Sequence, residues 1–265
     1  MRGGVSDAEI HPVDAPILVI IPTYNERETL GGIVAAVLAL GDAYSILVVD
    51  DASPDGTGHL VDALAVAHPG RVRALHRPAK RGIGPAYRAG FDEALRLGSG
   101  AAALIAQMDA DGSHNPADLP RMVAATATAD LVLGSRYVRG GGTTGWSLGR
   151  RLLSQIGGRY ARAVLGVPIA DLTGGFKVWR RTCLAGIDLA ALRADGYGFQ
   201  IETTYRAIEQ GARVVELPII FAERVAGASK LSRRIVLEAA LLVWRLRFER
   251  SRRAVAASGP AAGKR

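Results

Sequence analysis

Residues 17–26 read ILVIIPTYNE, and residues 45–57 read SILVVDDASPDGT. Each stretch opens with an unbroken run of aliphatic residues, which is typical of a strand buried on both faces of a sheet. Each closes with acidic, hydroxyl-bearing and turn-forming residues, where the strand is expected to end. A helical pattern from about residue 28 to residue 40 separates the two runs. This strand–helix–strand order predicts βαβ units and a mostly parallel sheet.

The same alternation continues along the chain. Further strands are predicted at 72–76, 102–108, 130–135 and around 213–221. Further helices are predicted at 56–68, 85–97 (with Pro85 in the first turn), 116–127, 148–165, 200–209 and 231–250. The glycine-rich residues 140–145 indicate a flexible loop. The expected fold class is α/β, with a mostly parallel sheet flanked by helices.

The composition is that of an ordinary globular protein. Of the 265 residues, 49% are hydrophobic and 22% are charged, which excludes a disordered, collagen-like or coiled-coil chain. The single cysteine, Cys183, excludes an intrachain disulfide and favours a reducing, cytosolic location. The apolar stretch at 235–244 contains Glu238 and is far shorter than the roughly 18–20 residues that cross a bilayer. The first 16 residues show no apolar signal core, so we expect a protein without a membrane span.

Positive charge is concentrated at the C-terminus. The formal net charge is +8, and from Arg224 onward eleven Lys and Arg residues stand against two Glu residues, while the remainder of the chain is close to neutral. A basic terminal segment favours an anionic partner, either nucleic acid or acidic lipid.

Unusual polar residues follow four of the predicted strands. In sheets of this class ligands bind beyond the carboxyl ends of the strands, so these residues predict a cleft at one edge of the sheet. The four segments are Pro22–Glu26, Asp50–Ser53, Asp109–Asp111 and Ser135–Tyr137.

Asp109 and Asp111 place two carboxylates on one loop directly after a buried strand. Magnesium and manganese prefer oxygen ligands and often take one or two carboxylates together with substrate phosphates. Such a pair is common in ordinary turns, but its position after a strand and the parallel Asp50–Asp51 pair favour a metal–diphosphate site. Arg136, Arg224 and Lys230 are the candidate cations for the phosphates.

The sequence disfavours dinucleotide binding, a histidine metal site and nucleophilic catalysis. The glycines at 82 and 84 precede a helix, but Tyr87 stands where a dinucleotide-binding motif has its third glycine. The five histidines show no metal-ligand spacing, and Ser53, Ser135 and Cys183 lack a nearby histidine that would activate a nucleophile.

These segments, in their order and spacing, resemble the family 2 glycosyltransferases of the GT-A fold, which is a Rossmann-like α/β fold. Later segments are similar to the polyprenol (dolichol) monophosphate mannose synthases within that family. The resemblance covers roughly residues 16–245, and the later segments that carry it are Gly134–Tyr137, Asp171–Lys177, Gly196–Glu202 and Arg224–Leu231.

The resemblance implies a role for each matching residue. The guanosine of the donor would be held by Pro22, Tyr24, Glu26, Val49 and Asp51. The donor diphosphate would be lined by Asp109, Ala110 and Asp111, with both aspartates binding a Mg²⁺ or Mn²⁺ cofactor. The donor diphosphate or the acceptor phosphate would pair with Arg136, Arg224 and Lys230. Asp109, Asp111 and Arg136 are the implied catalytic residues. Ser113 departs from the family, which often has glutamine there, so a water molecule is an alternative metal ligand.

The implied reaction is an inverting, metal-dependent transfer of mannose from GDP-mannose to a polyprenyl monophosphate. The product, polyprenyl-phosphate mannose, would serve cell-envelope glycan or glycolipid synthesis, or protein mannosylation. A phosphate monoester has a second pKa of about 6, so it is already an anionic nucleophile and needs no general base. Asp171 is therefore expected to have a structural or an acceptor-orienting role rather than to act as a base.

Because the acceptor is a membrane lipid, we expect peripheral association with the anionic cytoplasmic membrane. The expected organisation is a flexible N-terminal segment (1–15), a GT-A catalytic domain (16–230), an amphipathic, basic interface helix (231–250) and a disordered basic tail (251–265). Trp244 and Phe248 would meet the membrane, and Trp146 the isoprenoid. The resemblance also allows a polytopic membrane partner protein.

Two alternatives stay open. A polyprenyl-phosphate glucosyltransferase using UDP-glucose would differ in a few contacts that the sequence does not locate. A nucleic-acid-binding module would use the basic C-terminus, but it predicts cations interleaved with aromatic residues on a folded face. The near-neutral body with carboxylates at its strand ends disfavours it, so no nucleic-acid partner is expected.

Overall fold

The computed structural model describes residues 15–100, 102–223 and 240–249. The strands are β1 (Ile17–Thr23), β2 (Tyr44–Asp50), β3 (Val72–His76), β4 (Leu104–Gln107), β5 (Leu131–Ser135), β6 (Gly142–Thr143), β7 (Lys177–Arg180), β8 (Val214–Pro218) and β9 (Ile220–Phe221). The α-helices are α1 (Arg27–Leu38), α2 (Thr57–Ala67), α3 (Ile83–Leu97), α4 (Leu119–Ala125), α5 (Leu148–Leu165), α6 (Arg181–Ala185) and α7 (Gly196–Glu209). Residues 240–249 are also helical, and short 3-10 helices lie at Pro116–Asp118 and Leu189–Ala191.

Seven strands form one sheet in the order β3-β2-β1-β4-β7-β5-β8. All neighbouring pairs are parallel except those of β7, which runs antiparallel between β4 and β5. The predicted mostly parallel α/β sheet is therefore confirmed. The sequence did not predict β7, because its four residues KVWR place charges at both ends of the run. The predicted loop at 140–145 contains β6, which pairs with β9 in a separate small sheet.

Two apolar layers cover the sheet. On one face α3, α5, α7 and helix 240–249 pack around the buried aromatic residues Tyr87, Phe91, Trp179, Phe199 and Tyr205. On the other face α1, α2 and α4 cover the alternate side chains of the same strands. Burial of both faces explains why the parallel strands read as unbroken apolar runs.

Several predicted segments lie outside the described residues. They include most of the predicted N-terminal segment (1–14), the first part of the predicted interface helix with the preceding loop (224–239), and the tail (250–265). The predicted domain boundaries therefore stay predictions. Within the described part of the chain, no helix is long and apolar enough to cross a membrane.

Candidate functional site

Two cavities lie side by side where the carboxyl ends of the strands meet. The small cavity, of about 90 Å³, follows β1, β2 and β4. The large cavity, of about 650 Å³, is lined by the end of β4, the turn before α5, the start of α7 and helix 240–249. Four residues line both cavities: Lys80, Gly82, Ile83 and Asp109. Asp109 therefore stands at the junction.

The structure brings most of the predicted donor-binding residues to one place. The small cavity is lined by Pro22, Tyr24, Glu26, Asp51, Asp109, Ala110 and Asp111. Val49 lies inside β2 and is fully buried, and Arg136 lines the large cavity. Arg224 and Lys230 lie outside the described residues, so their roles stay predictions.

The two adjacent aspartates at the end of β2 have different surroundings. Asp50 accepts a hydrogen bond from the hydroxyl of Thr23 at 3.0 Å, which ties the ends of β1 and β2 together. Oδ1 of Asp51 pairs with Arg77 at 2.5 Å, and its Oδ2 accepts the backbone N–H of Arg81 at 3.1 Å. Of the pair, Asp51 is the one that lines the small cavity.

The two aspartates after β4 are each oriented by a neighbouring hydroxyl. Tyr87 donates to Oδ1 of Asp109 at 2.9 Å. Ser113 donates to Oδ1 of Asp111 through its backbone N–H at 3.1 Å and through its hydroxyl at 2.6 Å. The Ser113 side chain, which departs from the family pattern, thus orients the Asp111 carboxylate.

The imidazole ring of His114 supports the same turn. Its Nδ1 accepts the backbone N–H of Asp109 at 3.1 Å, so the ring carries its proton on Nε2. Burial lowers the pKa of His114, although the nearby carboxylates of Asp109 and Asp111 act in the opposite direction. The neutral ring stacks on Phe176 with 4.8 Å between centroids.

Arg136 and Asp171 form a buried ion pair. Arg136 donates to the two oxygens of Asp171 at 2.7 and 2.6 Å from its side chain and at 3.0 Å from its backbone N–H. Burial acts to raise the pKa of Asp171, but attraction and hydrogen bonds from Arg136 outweigh it, and the pKa is lowered. Because a carboxylate with a lowered pKa is a weak base, Asp171 suits orienting Arg136 rather than accepting a proton.

Sequence reasoning missed several cations of the site. Lys80 follows β3 and holds its Nζ 3.6 Å from the centre of the Tyr24 ring. Arg150, in the first turn of α5, lies 4.1 Å above the ring of Trp146, which lines the large cavity. The residues after β3, 77–82, read RPAKRG, a basic turn without the acidic residues that follow β1, β2 and β4. The rule that ligands bind beyond the carboxyl ends of parallel strands, applied to β3 as well, would have pointed to Lys80.

The carboxylates after β4 fit a hard divalent cation. Among the described residues, no cluster of three or more His, Cys, Asp or Glu side chains is arranged to hold a metal. Two carboxylates are what Mg²⁺ or Mn²⁺ takes from a protein when substrate phosphates and water supply the other oxygens. Asp109 and Asp111 match that donor set, with one oxygen of each already oriented by the protein.

Residues 18–187 match the protein family described as glycosyl transferase family 2. The match covers more than half of the chain, so the chain belongs to this family of glycosyltransferases. The family predicted from the sequence is confirmed.

Two relatives are similar over nearly their whole length. The chain is 49% identical over 247 residues to the polyprenol monophosphomannose synthase of Mycolicibacterium smegmatis, covering 92% of each chain. It is 46% identical over 229 residues to the undecaprenyl-phosphate mannosyltransferase of Micrococcus luteus, covering 86% of this chain and 93% of the relative.

Solved structures share the fold at low sequence identity. Glucosyl-3-phosphoglycerate synthase from Mycobacterium tuberculosis, in complex with Mn²⁺, UDP and glucosyl-3-phosphoglycerate, is 19% identical with a TM-score of 0.64, covering 93% of this chain and 85% of that chain. Its complex with Mg²⁺ and UDP is 18% identical with a TM-score of 0.62, covering 92% and 84%. The GT-A fold is confirmed, and both of these complexes contain a divalent cation and UDP.

Proposed function

We propose that this glycosyltransferase transfers mannose from GDP-mannose to the phosphate of a polyprenyl monophosphate, with inversion at the anomeric carbon. One observation carries the proposal: Asp109 borders both the small polar cavity and the large cavity. A donor bound in the first and an acceptor bound in the second would meet at that carboxylate. The names of the two relatives, both mannosyl transferases acting with polyprenyl phosphates, support the choice of sugar and acceptor.

The large cavity has the chemistry of a phosphorylated lipid. Its lining is partly apolar, with Ile83, Trp146, Tyr197, Phe221, Leu241 and Leu242. It also contains five cations, Lys80, Arg136, Arg150, Arg193 and Arg245. Apolar walls suit an isoprenoid, and the cations suit its phosphate.

In the small cavity, Asp51 and Glu26 are the carboxylates proposed to accept hydrogen bonds from the guanosine, and Tyr24 and Pro22 to pack against it. Asp109 and Asp111 are proposed to hold Mg²⁺ or Mn²⁺. When bound, such an ion neutralises the charge that develops on the departing diphosphate. The protein's own part is to orient the carboxylates and to bring Arg136 and Arg150 toward the anions.

The proposed acceptor chemistry does not require a general base. Asp171 is engaged with Arg136, and His114 uses Nδ1 for the Asp109 backbone. A phosphate dianion attacks without giving up a proton, so neither group has to act as a base.

We also propose peripheral contact with an anionic, cytoplasmic membrane surface. Large apolar side chains are exposed along one face of α5, namely Leu148, Leu152, Leu153, Ile156 and Tyr160. Others are exposed on helix 240–249, namely Leu241, Trp244 and Phe248. We call these eight side chains the apolar rim, because both helices also line the large cavity. α5 adds four arginines and no acid, which suits anionic lipid, and the same rim is compatible with a polytopic partner protein.

Incubation with radiolabelled GDP-mannose, Mn²⁺ and polyprenyl phosphate in vesicles tests the reaction. We expect label to enter the organic extract, and chelation of the metal to stop it. Asp111→Ala is expected to abolish transfer with little change in the thermal unfolding temperature, whereas Asp118→Ala, an acid outside both cavities, is expected to retain it. Transfer from UDP-glucose but not from GDP-mannose would establish the alternative donor and overturn the proposal.

A further inference from the structure

Gln200 is a buried amide at the wall of the large cavity. It lies in α7, near the helix N-terminus, and is 4% exposed. The neighbouring cavity-lining residues include Asp109 and the glycines Gly174 and Gly175. The donor-binding roles implied by the family resemblance do not include it, and nothing in the reaction described so far uses it.

A chain of hydrogen bonds fixes which way the Gln200 amide faces. The indole Nε1 of Trp179, which can only donate, bonds Oε1 of Gln107 at 2.7 Å. The NH₂ group of Gln107 therefore points away from Trp179, and its Nε2 donates to Oε1 of Gln200 over a longer distance of 3.5 Å. The oxygen of Gln200 thus faces the sheet, and its NH₂ group is the end left for the cavity.

The surroundings of that NH₂ group support the same orientation. A Cβ atom built on Gly175 would lie 3.4 Å from Nε2 of Gln200 and 3.6 Å from Oδ2 of Asp109. The glycine therefore leaves an opening that both groups border. Among the described residues, none accepts a hydrogen bond from this NH₂ group, and both Gln200 and Gly175 line the large cavity.

The backbone of Gln200 is also held in place. Nζ of the fully buried Lys177 donates to the carbonyl oxygen of Gln200 at 2.9 Å and contacts the hydroxyl of Thr203 at 3.2 Å. Lys177 lies on β7, which is hydrogen-bonded to β4, the strand that leads into Asp109. The amide on α7 and the carboxylate after β4 are therefore both anchored to the sheet, through the adjacent strands β7 and β4.

We propose that Gln200 binds an oxygen of the acceptor phosphate through its NH₂ group, beside Asp109. This inference rests on the proposed function and adds a residue to its acceptor site. Because the Gln200 amide directs only its N–H donors toward the opening, it complements an acceptor oxygen, and every free oxygen of a phosphate dianion is such an acceptor. A neutral amide also binds the attacking oxygen more weakly than an arginine fork does, and so leaves it nucleophilic.

Two substitutions test the role. Gln200→Met keeps the length of the side chain and removes both donors, and Gln200→Glu replaces the donors with a carboxylate that repels phosphate. Gln210→Glu, the same change at the other end of α7 and on the surface, is the matched control. Thermal unfolding of each variant reports whether the fold is retained.

The readout is binding of a water-soluble, short-chain isoprenyl phosphate, measured by calorimetry in the presence of GDP and Mn²⁺, together with the KM for each substrate. We expect Gln200→Met to weaken the binding of isoprenyl phosphate about tenfold and Gln200→Glu to weaken it further. The affinity for GDP is expected to stay unchanged. The control is expected to match the unsubstituted protein.

The outcomes separate this inference from the proposed function. Unchanged binding of isoprenyl phosphate by a folded Gln200→Met variant would overturn the role of Gln200, even if mannosyl transfer is confirmed. A rise in the KM for the sugar nucleotide alone would place the amide on the transferred sugar and also overturn it. Absence of any mannosyl transfer by the unsubstituted protein would instead refute the proposed function, whatever the binding of isoprenyl phosphate shows.

Discussion

Among single residues, Tyr87 orients one of the two candidate metal-binding carboxylates, that of Asp109. It occupies the place where a dinucleotide-binding motif has glycine, and its hydroxyl instead donates to Oδ1 of Asp109 at 2.9 Å. Burial and the nearby Asp109 carboxylate raise the pKa of Tyr87, so the hydroxyl keeps its proton and remains a donor. Its ring stacks on Phe199 with 6.0 Å between centroids, which fixes the direction of the hydroxyl.

We expect Tyr87→Phe to weaken the binding of Mn²⁺ about tenfold, because the groups that orient a metal ligand contribute to affinity on that scale. The aromatic packing is retained in this variant. Mn²⁺ titration followed by electron paramagnetic resonance in the presence of GDP measures the change without turnover. An affinity equal to that of the unsubstituted protein would show that the Tyr87 hydroxyl does not position Asp109 for a metal.

The Arg136–Asp171 pair gives a prediction for stability. Asp171→Asn leaves a buried guanidinium without its counter-charge, and we expect a loss of about 3–5 kcal/mol in the free energy of unfolding at neutral pH. Asp118→Asn, which breaks a more exposed pair with Arg121, is the control, with an expected loss of less than about 1 kcal/mol. Urea unfolding measures both, and equal losses would contradict the account.

The same pair predicts the pH dependence. The pKa of Asp171 is lowered in the folded protein, whereas an aspartate in the unfolded chain has a pKa of about 3.9. The unfolded state therefore binds more protons between these two values, and the stabilisation by Asp171 is complete above the unfolded pKa and is lost as the pH falls through the folded one. We expect the unfolding free energies of the unsubstituted protein and Asp171→Asn to converge below about pH 4. A gap that widens on acidification would contradict the assignment.

At the scale of elements, α5 combines an apolar outer face with arginines. We expect the double change Leu152→Glu and Ile156→Glu to lower the partitioning onto anionic vesicles at low salt about tenfold or more, because the apolar rim loses buried area and gains negative charge. Val66→Glu is the control, since Val66 is 82% exposed on α2, across the sheet from α5. Vesicle flotation measures the partitioning.

Two results of that experiment would count against membrane docking through the rim. One is unchanged flotation of the double variant. The other is a concentration-dependent dimer of the unsubstituted protein that the double variant loses, which would assign the rim to a second copy of the chain.

The elements also show which parts of the fold the sequence could predict. Strands β1 and β2 were predicted from their apolar runs, because parallel strands buried on both faces need no alternation. β7 was missed because its charged ends depend on distant partners: Lys177 is satisfied by α7, and Arg180 by the carbonyl oxygens of residues 126 and 129. The local sequence pattern does not reveal contacts between residues that are far apart in the chain.

At the scale of the whole molecule, the sheet places the candidate site by bringing the ends of β1, β2 and β4 together. The sequence predicted this edge and the segments after β1, β2 and β4 that line the small cavity, since strand ends are local features. It did not predict Lys80, Tyr87, Arg150 or Gln200. Their roles depend on contacts across the fold, such as the one between Gln107 and Gln200, which are 93 residues apart.

The proposed reaction depends on the donor diphosphate and a divalent ion meeting beside Asp109 and Asp111. Anomalous diffraction from crystals grown with GDP and Mn²⁺ tests this most directly. We expect one manganese peak within bonding distance of carboxylate oxygens of Asp109 or Asp111 and of a diphosphate oxygen. A diphosphate bound away from this turn, with manganese elsewhere or absent, would contradict the account.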